Sequence, residues 1–329
     1  MLAIVCPGQG SQTPAMLAPW LELPGVSDQL ASFSTDGLDL RALGTEADAD
    51  AIRDTRVAQP LLVASSIIAL RAVLDGRDAA DVVDVTAGHS VGELAAAAVA
   101  GVLDDASAVA LVTRRAAVMA EAAAANPSGM SAVLGGDPDE VLAAIEAAGL
   151  WPANVNGGGQ VVAAGSLDGL AAFAANPPAK ARVIALKVAG AFHTPLMESA
   201  RAAFAEVTAG WAAADPRVTF LSNADGASYA SIADDASLPL GSGRDVLDRL
   251  TAQITAPVRW DLCQESLAAA GVTGLLELMP GGVLTGLARR ALPGVETVAV
   301  KSPADLDAAR DLVARHSGTT TLPTAEDAQ

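Results

Sequence analysis

Short apolar runs bounded by glycine, proline or polar turns alternate along this chain with longer stretches whose apolar positions recur at helical spacing. Leu2-Ala3-Ile4-Val5-Cys6 predicts a first strand that ends in the loop Pro7-Gly8-Gln9-Gly10-Ser11-Gln12. Residues 59–74 predict a long helix. The β-branched run Val82-Val83-Asp84-Val85-Thr86 predicts a buried strand, and the alanine-rich residues 93–100 a helix after it. A second helix follows over 105–123. Late in the chain, residues 274–279 predict a strand, Pro280-Gly281-Gly282 a turn, Val283 the start of a helix and 296–300 a last strand. Strands and helices in alternation are the signature of an α/β fold with a largely parallel sheet.

Between residues 128 and 191 the rhythm changes. Strands are predicted at 130–134, 153–156, 160–164 and 182–188, with helices at 138–148 and 167–175. The order β-α-β-β-α-β is that of a ferredoxin-like unit. The α/β pattern resumes beyond it, so 128–191 reads as a subdomain inserted into a discontinuous domain formed by 1–127 and 192–316. Residues 317–329 are small and polar and predict a disordered tail.

Composition narrows the function classes. Hydrophobic residues make up 51% of 329, ample for a large core, but aromatics only 3%, so Ala, Val and Leu must build it. A net charge of −18 argues against a nucleic-acid surface. No run approaches about eighteen consecutive apolar residues, so no membrane span is expected. The N-terminus lacks a basic region and reads as a strand rather than a signal peptide. Cys6 and Cys263 lie in apolar surroundings and predict buried free thiols, which fits a cytoplasmic protein.

The chemistry centres on Gly88-His89-Ser90-Val91-Gly92, a G-x-S-x-G pentapeptide between a predicted strand and a predicted helix. In that context it is a nucleophile elbow, whose sharp turn lifts the serine hydroxyl over the sheet edge. The helix N-terminus beside it favours developing negative charge. A serine nucleophile needs a base, and the chain has three histidines. His316 reads as a solvated charge in a last helical turn. His89 is adjacent to Ser90 on a tight turn, points elsewhere and reads as a pocket-lining residue. His193 remains, just after an apolar strand where the insertion rejoins the main domain. No carboxylate between Ser90 and His193 occupies an obvious strand-end loop, so a backbone carbonyl could orient the imidazole instead, giving a Ser-His dyad.

Taken together, Pro7-Gly8-Gln9-Gly10-Ser11-Gln12, Gly88-His89-Ser90-Val91-Gly92-Glu93, Arg115 and Ala191-Phe192-His193 resemble the malonyl-CoA:acyl carrier protein transacylases. Residues 253–260, Gln-Ile-Thr-Ala-Pro-Val-Arg-Trp, and 280–287 match the same family in order, so the resemblance spans about residues 2–315. It implies a hydrolase-like α/β domain with a ferredoxin-like insertion. It implies Ser90 as acyl-carrying nucleophile, His193 as general base and acid, and the N–H groups of Gln9 and Val91 as the oxyanion hole. It also implies Arg115 as the carboxylate receptor, with the main-chain carbonyl of Gln253 orienting His193. Asn156, in Asn154-Val155-Asn156-Gly157, and the Ser222-Asn223 pair match family patterns near the cleft. Phe192 before His193, with Val91 after Ser90, implies malonyl over methylmalonyl. Gly8-x-Gly10 after a strand lacks the third glycine of a dinucleotide fingerprint, since Thr13 stands there.

Helix spacing bears on Arg115 independently. Leu111, Arg115, Val118 and Ala122 share an apolar stripe, while Arg114 falls with Ser107 and Glu121 on a polar face. A buried arginine must be paired, and its planar fork fits a carboxylate through two hydrogen bonds. The implied reaction is transfer of malonyl from malonyl-CoA to the phosphopantetheine thiol of acyl carrier protein, by a monomer needing no metal or redox cofactor. Arg289, Arg290 and Lys187 are the rim cations expected to receive an acidic carrier. A serine esterase or thioesterase is the rival reading; it would share the elbow and the base but would not need a buried arginine.

Overall fold

Leu2, Ile4 and Cys6 enter one apolar cluster and Ala3 and Val5 another, the two-residue period of a strand buried on both faces. The structure, a computed structural model, describes residues 1–35, 37–229 and 241–318. The predicted tail lies outside the described residues beyond Gly318. In chain order the strands are β1 (Leu2–Cys6), β2 (Val85–Gly88), β3 (Gly129–Gly135), β4 (Trp151–Gly157) and β5 (Gln160–Gly165). They continue with β6 (Ala181–Ala185), β7 (Thr219–Leu221), β8 (Val258–Arg259), β9 (Gly274–Glu277) and β10 (Glu296–Ala299).

The first sheet has the order β10-β9-β1-β2-β7, every pair parallel. The Thr55–Leu74, Gly92–Val99 and Asp105–Ala125 helices pack on one face. Trp260–Ala269 and Val283–Ala291 cover the other. Thr55–Leu74 is long and apolar enough to cross a bilayer by composition, yet 83% of its apolar window is buried inside the fold, the mark of a core helix. Strand β2 begins three residues later than the β-branched run suggests. Asp84 instead accepts a hydrogen bond from the Leu2 amide at 2.6 Å, holding the chain onto β1. The hydrolase-like parallel sheet inferred from the sequence is thus present.

The second sheet has the order β6-β3-β5-β4-β8. Helices Pro138–Ala147 and Leu167–Ala175 cover one face, where Val141, Ile145, Leu170 and Phe173 meet Val133, Val161 and Ala163. The residues of opposite parity, Met130, Ala132 and Val162, turn toward the first sheet. The ferredoxin-like arrangement therefore leaves one sheet face to form the wall of a cleft. Strand β8, drawn from beyond the 129–185 stretch, pairs parallel with β4 and ties the two sheets together.

Candidate active site

The elbow is enforced by crowding. A Cβ on Gly88 would lie 2.0 Å from the Gly92 carbonyl carbon, and one on Gly92 would lie 2.2 Å from the Cys6 carbonyl oxygen. Only glycines let the turn press this closely onto β1. Between them Ser90 holds a φ of 53°, the left-handed conformation expected of an elbow nucleophile. Its N–H donates to Asn223 Oδ1 at 2.7 Å, and Asn223 Nδ2 donates to the Gly88 carbonyl at 2.7 Å. Asn223 thus clamps both sides of the turn.

Ser90 Oγ lies 2.7 Å from His193 Nε2. The other ring nitrogen, Nδ1, lies 2.8 Å from the Gln253 main-chain oxygen, where it can only donate. That fixes the tautomer with Nε2 free to accept from the serine. A carbonyl occupies the place an acid would take. His193 is buried and sits at a φ of 62°. Burial first, and then the positive charge of Arg115, lower its pKa to about 3, so it is neutral at physiological pH.

Arg115 is wholly buried. Its Nη1 donates to Gln59 Oε1 and its Nη2 to Gln253 Oε1, both at 2.7 Å. Its Nε has no partner among the described residues. Burial lowers its pKa to about 10 against the pull of nearby Glu93, and it remains a cation. The expected partner of a buried arginine is thus a pair of neutral amides rather than a carboxylate. Arg114 is exposed, as helix spacing predicts. Glu93 accepts from the Asn223 N–H at 2.6 Å and from Gln253 Nε2. Burial pushes its carboxyl up, to about 8, against those two donors and Arg115.

A cavity of about 370 Å3 opens above the serine, walled by the second sheet and by the loops that follow β1 and β2 of the first. Gln9, His89, Ser90, Asn156, Phe192 and His193 line it, with Gln59 and Met119 at its inner end. Arg115 is not on the wall; it lies behind Gln59. His89 Nε2 is 2.8 Å from Asn156 Oδ1, which joins the elbow to β4, and its ring meets the edge of Trp260 with centroids 5.7 Å apart. The N–H groups of Gln9 and Val91 donate to no acceptor among the described residues. Lys187, Arg289 and Arg290 are exposed, Lys187 between the lining residues Leu186 and Val188. Cys6 and Cys263 are free and buried, as expected, and burial raises both thiols.

Three contributors had no role derived from the residues themselves: Gln59, Glu93 and Asn223, the last marked only by the match of Ser222-Asn223 to a family pattern near the cleft. Gln59 and Glu93 did carry a signal, each being a polar residue inside an apolar helical run. Asn223 carried no local signal beyond that match, since the groups it clamps are 130 or more residues away.

Residues 3–290 match the acyl transferase domain family. The malonyl CoA-acyl carrier protein transacylase of Mycobacterium tuberculosis H37Rv is 51% identical over 313 residues, covering 93% of this chain and 98% of that protein. The crystal structure of MCAT from Mycobacterium tuberculosis superposes with a TM-score of 0.85 at 51% identity, covering 94% of this chain and 99% of the other. A malonyl-transacylase solved in complex with a type II PKS acyl-carrier protein superposes at 0.82 with 32% identity, covering 94% and 99%.

Proposed function

The chain belongs to the malonyl-CoA:acyl carrier protein transacylase family, and on that premise we propose that it moves a malonyl group from coenzyme A to an acyl carrier protein through an ester on Ser90. His193 Nε2 takes the Ser90 proton as Oγ attacks the thioester carbonyl. The N–H groups of Gln9 and Val91 receive the oxyanion. The C–S bond breaks, and the imidazolium returns its proton to the departing coenzyme A thiolate. The phosphopantetheine thiol then gives His193 its proton, attacks the malonyl-serine ester and releases Ser90, which is reprotonated. Each proton and electron pair is accounted for, so the proposed reaction calls for no metal or redox group.

One observation carries the acyl choice: a buried arginine behind the cavity wall, held by two amide oxygens and, among the described residues, by no carboxylate. A full charge is held there by neutral groups, which leaves it able to receive a carboxylate from the acyl group. In this reading the malonyl carboxylate displaces the Gln59 amide oxygen. A simple esterase has no use for such a charge, and the base here is oriented by a carbonyl rather than by an acid. Lys187, between the cavity-lining Leu186 and Val188, and Arg289 and Arg290, on the helix whose Val283 and Leu287 line the cavity, suit an acidic carrier.

Intact-mass analysis after mixing with malonyl-CoA tests the proposal. One malonyl increment is expected, mapped to Ser90 and absent from Ser90→Ala. Transfer of that increment to a holo carrier protein, faster than its loss to water, separates a transferase from a thioesterase. Labelling elsewhere, or hydrolysis as the main fate, overturns it.

A further inference from the structure

Glu93 is 1% exposed and is the sole charged side chain of the Gly92–Val99 helix. It reaches neither the cavity wall nor the reacting atoms, yet each of its oxygens meets a donor. One accepts from the Asn223 backbone N–H at 2.6 Å, the other from Gln253 Nε2. The backbone donor cannot turn; the Gln253 amide can. With Nε2 committed to Glu93 and to the Ser90 carbonyl at 3.1 Å, Gln253 Oε1 has to face Arg115 Nη2, where it lies at 2.7 Å. Gln59, the other partner of Arg115, is held far less firmly: its Nε2 reaches only Met119 Sδ, at 3.5 Å, and sulfur is a weak acceptor.

We infer that Glu93 is a positioning residue for the carboxylate receptor: it locks the Gln253 amide as the fixed anchor of Arg115, so that Gln59 is the partner that yields to the acyl carboxylate. This rests on the reading of Arg115 as that receptor. The consequence is directional. Glu93→Gln offers one acceptor to two donors. The rigid Asn223 N–H keeps the oxygen, and the new NH2 group then opposes Gln253 Nε2. Turning the Gln253 amide over relieves that clash but presents an NH2 group to Arg115, which loses its anchor. The main-chain carbonyl of Gln253 and its bond to His193 are untouched, and the lost contact from Nε2 to the Ser90 carbonyl is common to every acyl substrate, so it cancels in the malonyl-to-acetyl ratio.

Loading of the full chain by malonyl-CoA and by acetyl-CoA at about pH 9, where Glu93 with its pKa of about 8 is a carboxylate, followed by intact mass, reads this directly. For Glu93→Gln the malonyl kcat/KM should fall about tenfold or more, chiefly through KM, as loss of a hydrogen bond to a charged group implies. Acetyl loading should stay within about threefold. Gln253→Met removes the same link while keeping the main-chain carbonyl, and should shift the malonyl-to-acetyl ratio in the same direction. The double variant should be no worse than Gln253→Met alone, because both changes cut one chain of contacts; it also removes the opposed amides, so it reports even if Glu93→Gln does not fold. Parallel loss of both substrates in folded Glu93→Gln, or an unchanged ratio in Gln253→Met, overturns the inference. Arg115→Ala separates the two levels. If it leaves the ratio unchanged, the receptor reading itself fails; if it collapses the ratio while Glu93→Gln and Gln253→Met preserve it, only the role of Glu93 fails.

Discussion

Gln253 serves Arg115 and the base at once: its side-chain oxygen accepts from Arg115 Nη2 at 2.7 Å while its main-chain oxygen lies 2.8 Å from His193 Nδ1. The residue sits at the C-terminal end of the Gly243–Ala252 helix, whose last turn offers free carbonyls. In the proposed mechanism one of those carbonyls does what an acid does in other serine enzymes, without adding a negative charge beside Arg115. A carboxylate at that place would compete with a malonyl group for Arg115. In the proposed mechanism, recognition of the acyl group and activation of the nucleophile therefore share a single anchor.

Arg115→Ala should invert acyl preference. Removing one member of a buried, hydrogen-bonded charge pair costs about 2–5 kcal/mol, so malonyl loading should fall by roughly 30- to 5,000-fold. Acetyl-CoA brings no carboxylate and should load as well as before or better. Arg114→Ala, on the exposed face of the same helix, should change neither. Loading rates for both substrates, with thermal melts to confirm folding, decide it; equal losses would make Arg115 a structural group.

Much of this was legible from residue order alone. The elbow could be read because steric demand forces glycine at two fixed places, and β1 because burial on both faces demands an unbroken apolar run. Arg115 stood out because a charge inside an apolar stripe needs a reason. The network behind it did not show. Asn223 reaches Ser90 and Gly88 across more than 130 residues, and apart from the family match at Ser222-Asn223 no local pattern marks what that asparagine will hold. The absence of a carboxylate in an obvious strand-end loop pointed to a backbone carbonyl in place of an acid, but not to which one, because every residue has a carbonyl; only the family resemblance pointed to Gln253. The start of β2 was misplaced because β-branched composition cannot separate a strand from the extended segment leading into it.

Gly92→Ala should damage both stability and loading. The added methyl would sit 2.2 Å from a backbone oxygen of β1, which cannot move aside cheaply. Overpacking of this kind costs about 1–3 kcal/mol, and at roughly 2–4 °C per kcal/mol the melting temperature should fall by several degrees. The elbow would also shift, so malonyl loading should drop further than stability alone explains. Gly286→Ala is the contrast: a Cβ there meets nothing within 4 Å, and alanine favours the helix. Its melting temperature should hold or rise. An intact elbow in Gly92→Ala, with wild-type loading, would show that the close packing is not required.

Phe192 is buried, lines the cavity and immediately precedes the base. In the proposed reaction a ring at this place would crowd the α-carbon of the acyl group. Phe192→Ser should therefore admit methylmalonyl-CoA. Crowding by a methyl-sized group discriminates by only about 1–3 kcal/mol, so the gain should be roughly 10- to 200-fold at most. Competition between malonyl-CoA and methylmalonyl-CoA, read by the mass of the loaded enzyme, measures the change. A wild-type enzyme that loads both equally removes Phe192 from the selectivity argument.

The acid limb of activity should lie well below the usual histidine range, and it should depend on Arg115. Burial, and next the charge of Arg115, bring the folded pKa of His193 down to about 3. Above that the imidazole is free base and able to accept the Ser90 proton. Stability follows the same linkage. Between about 6.5 and 3 the unfolded chain carries a proton on this histidine that the folded chain does not, so acidification through that window destabilises the fold. His193→Gln should flatten that part of the stability profile. In Arg115→Ala one of the two causes is gone, so the acid limb of kcat/KM for a neutral acyl-CoA should move upward in pH, toward the normal histidine value. Acetyl-CoA is the substrate to use, because its binding does not itself require the arginine. An acid limb at the same pH in wild type and Arg115→Ala would mean that burial alone sets the basicity of His193, and that the arginine acts on the acyl group only.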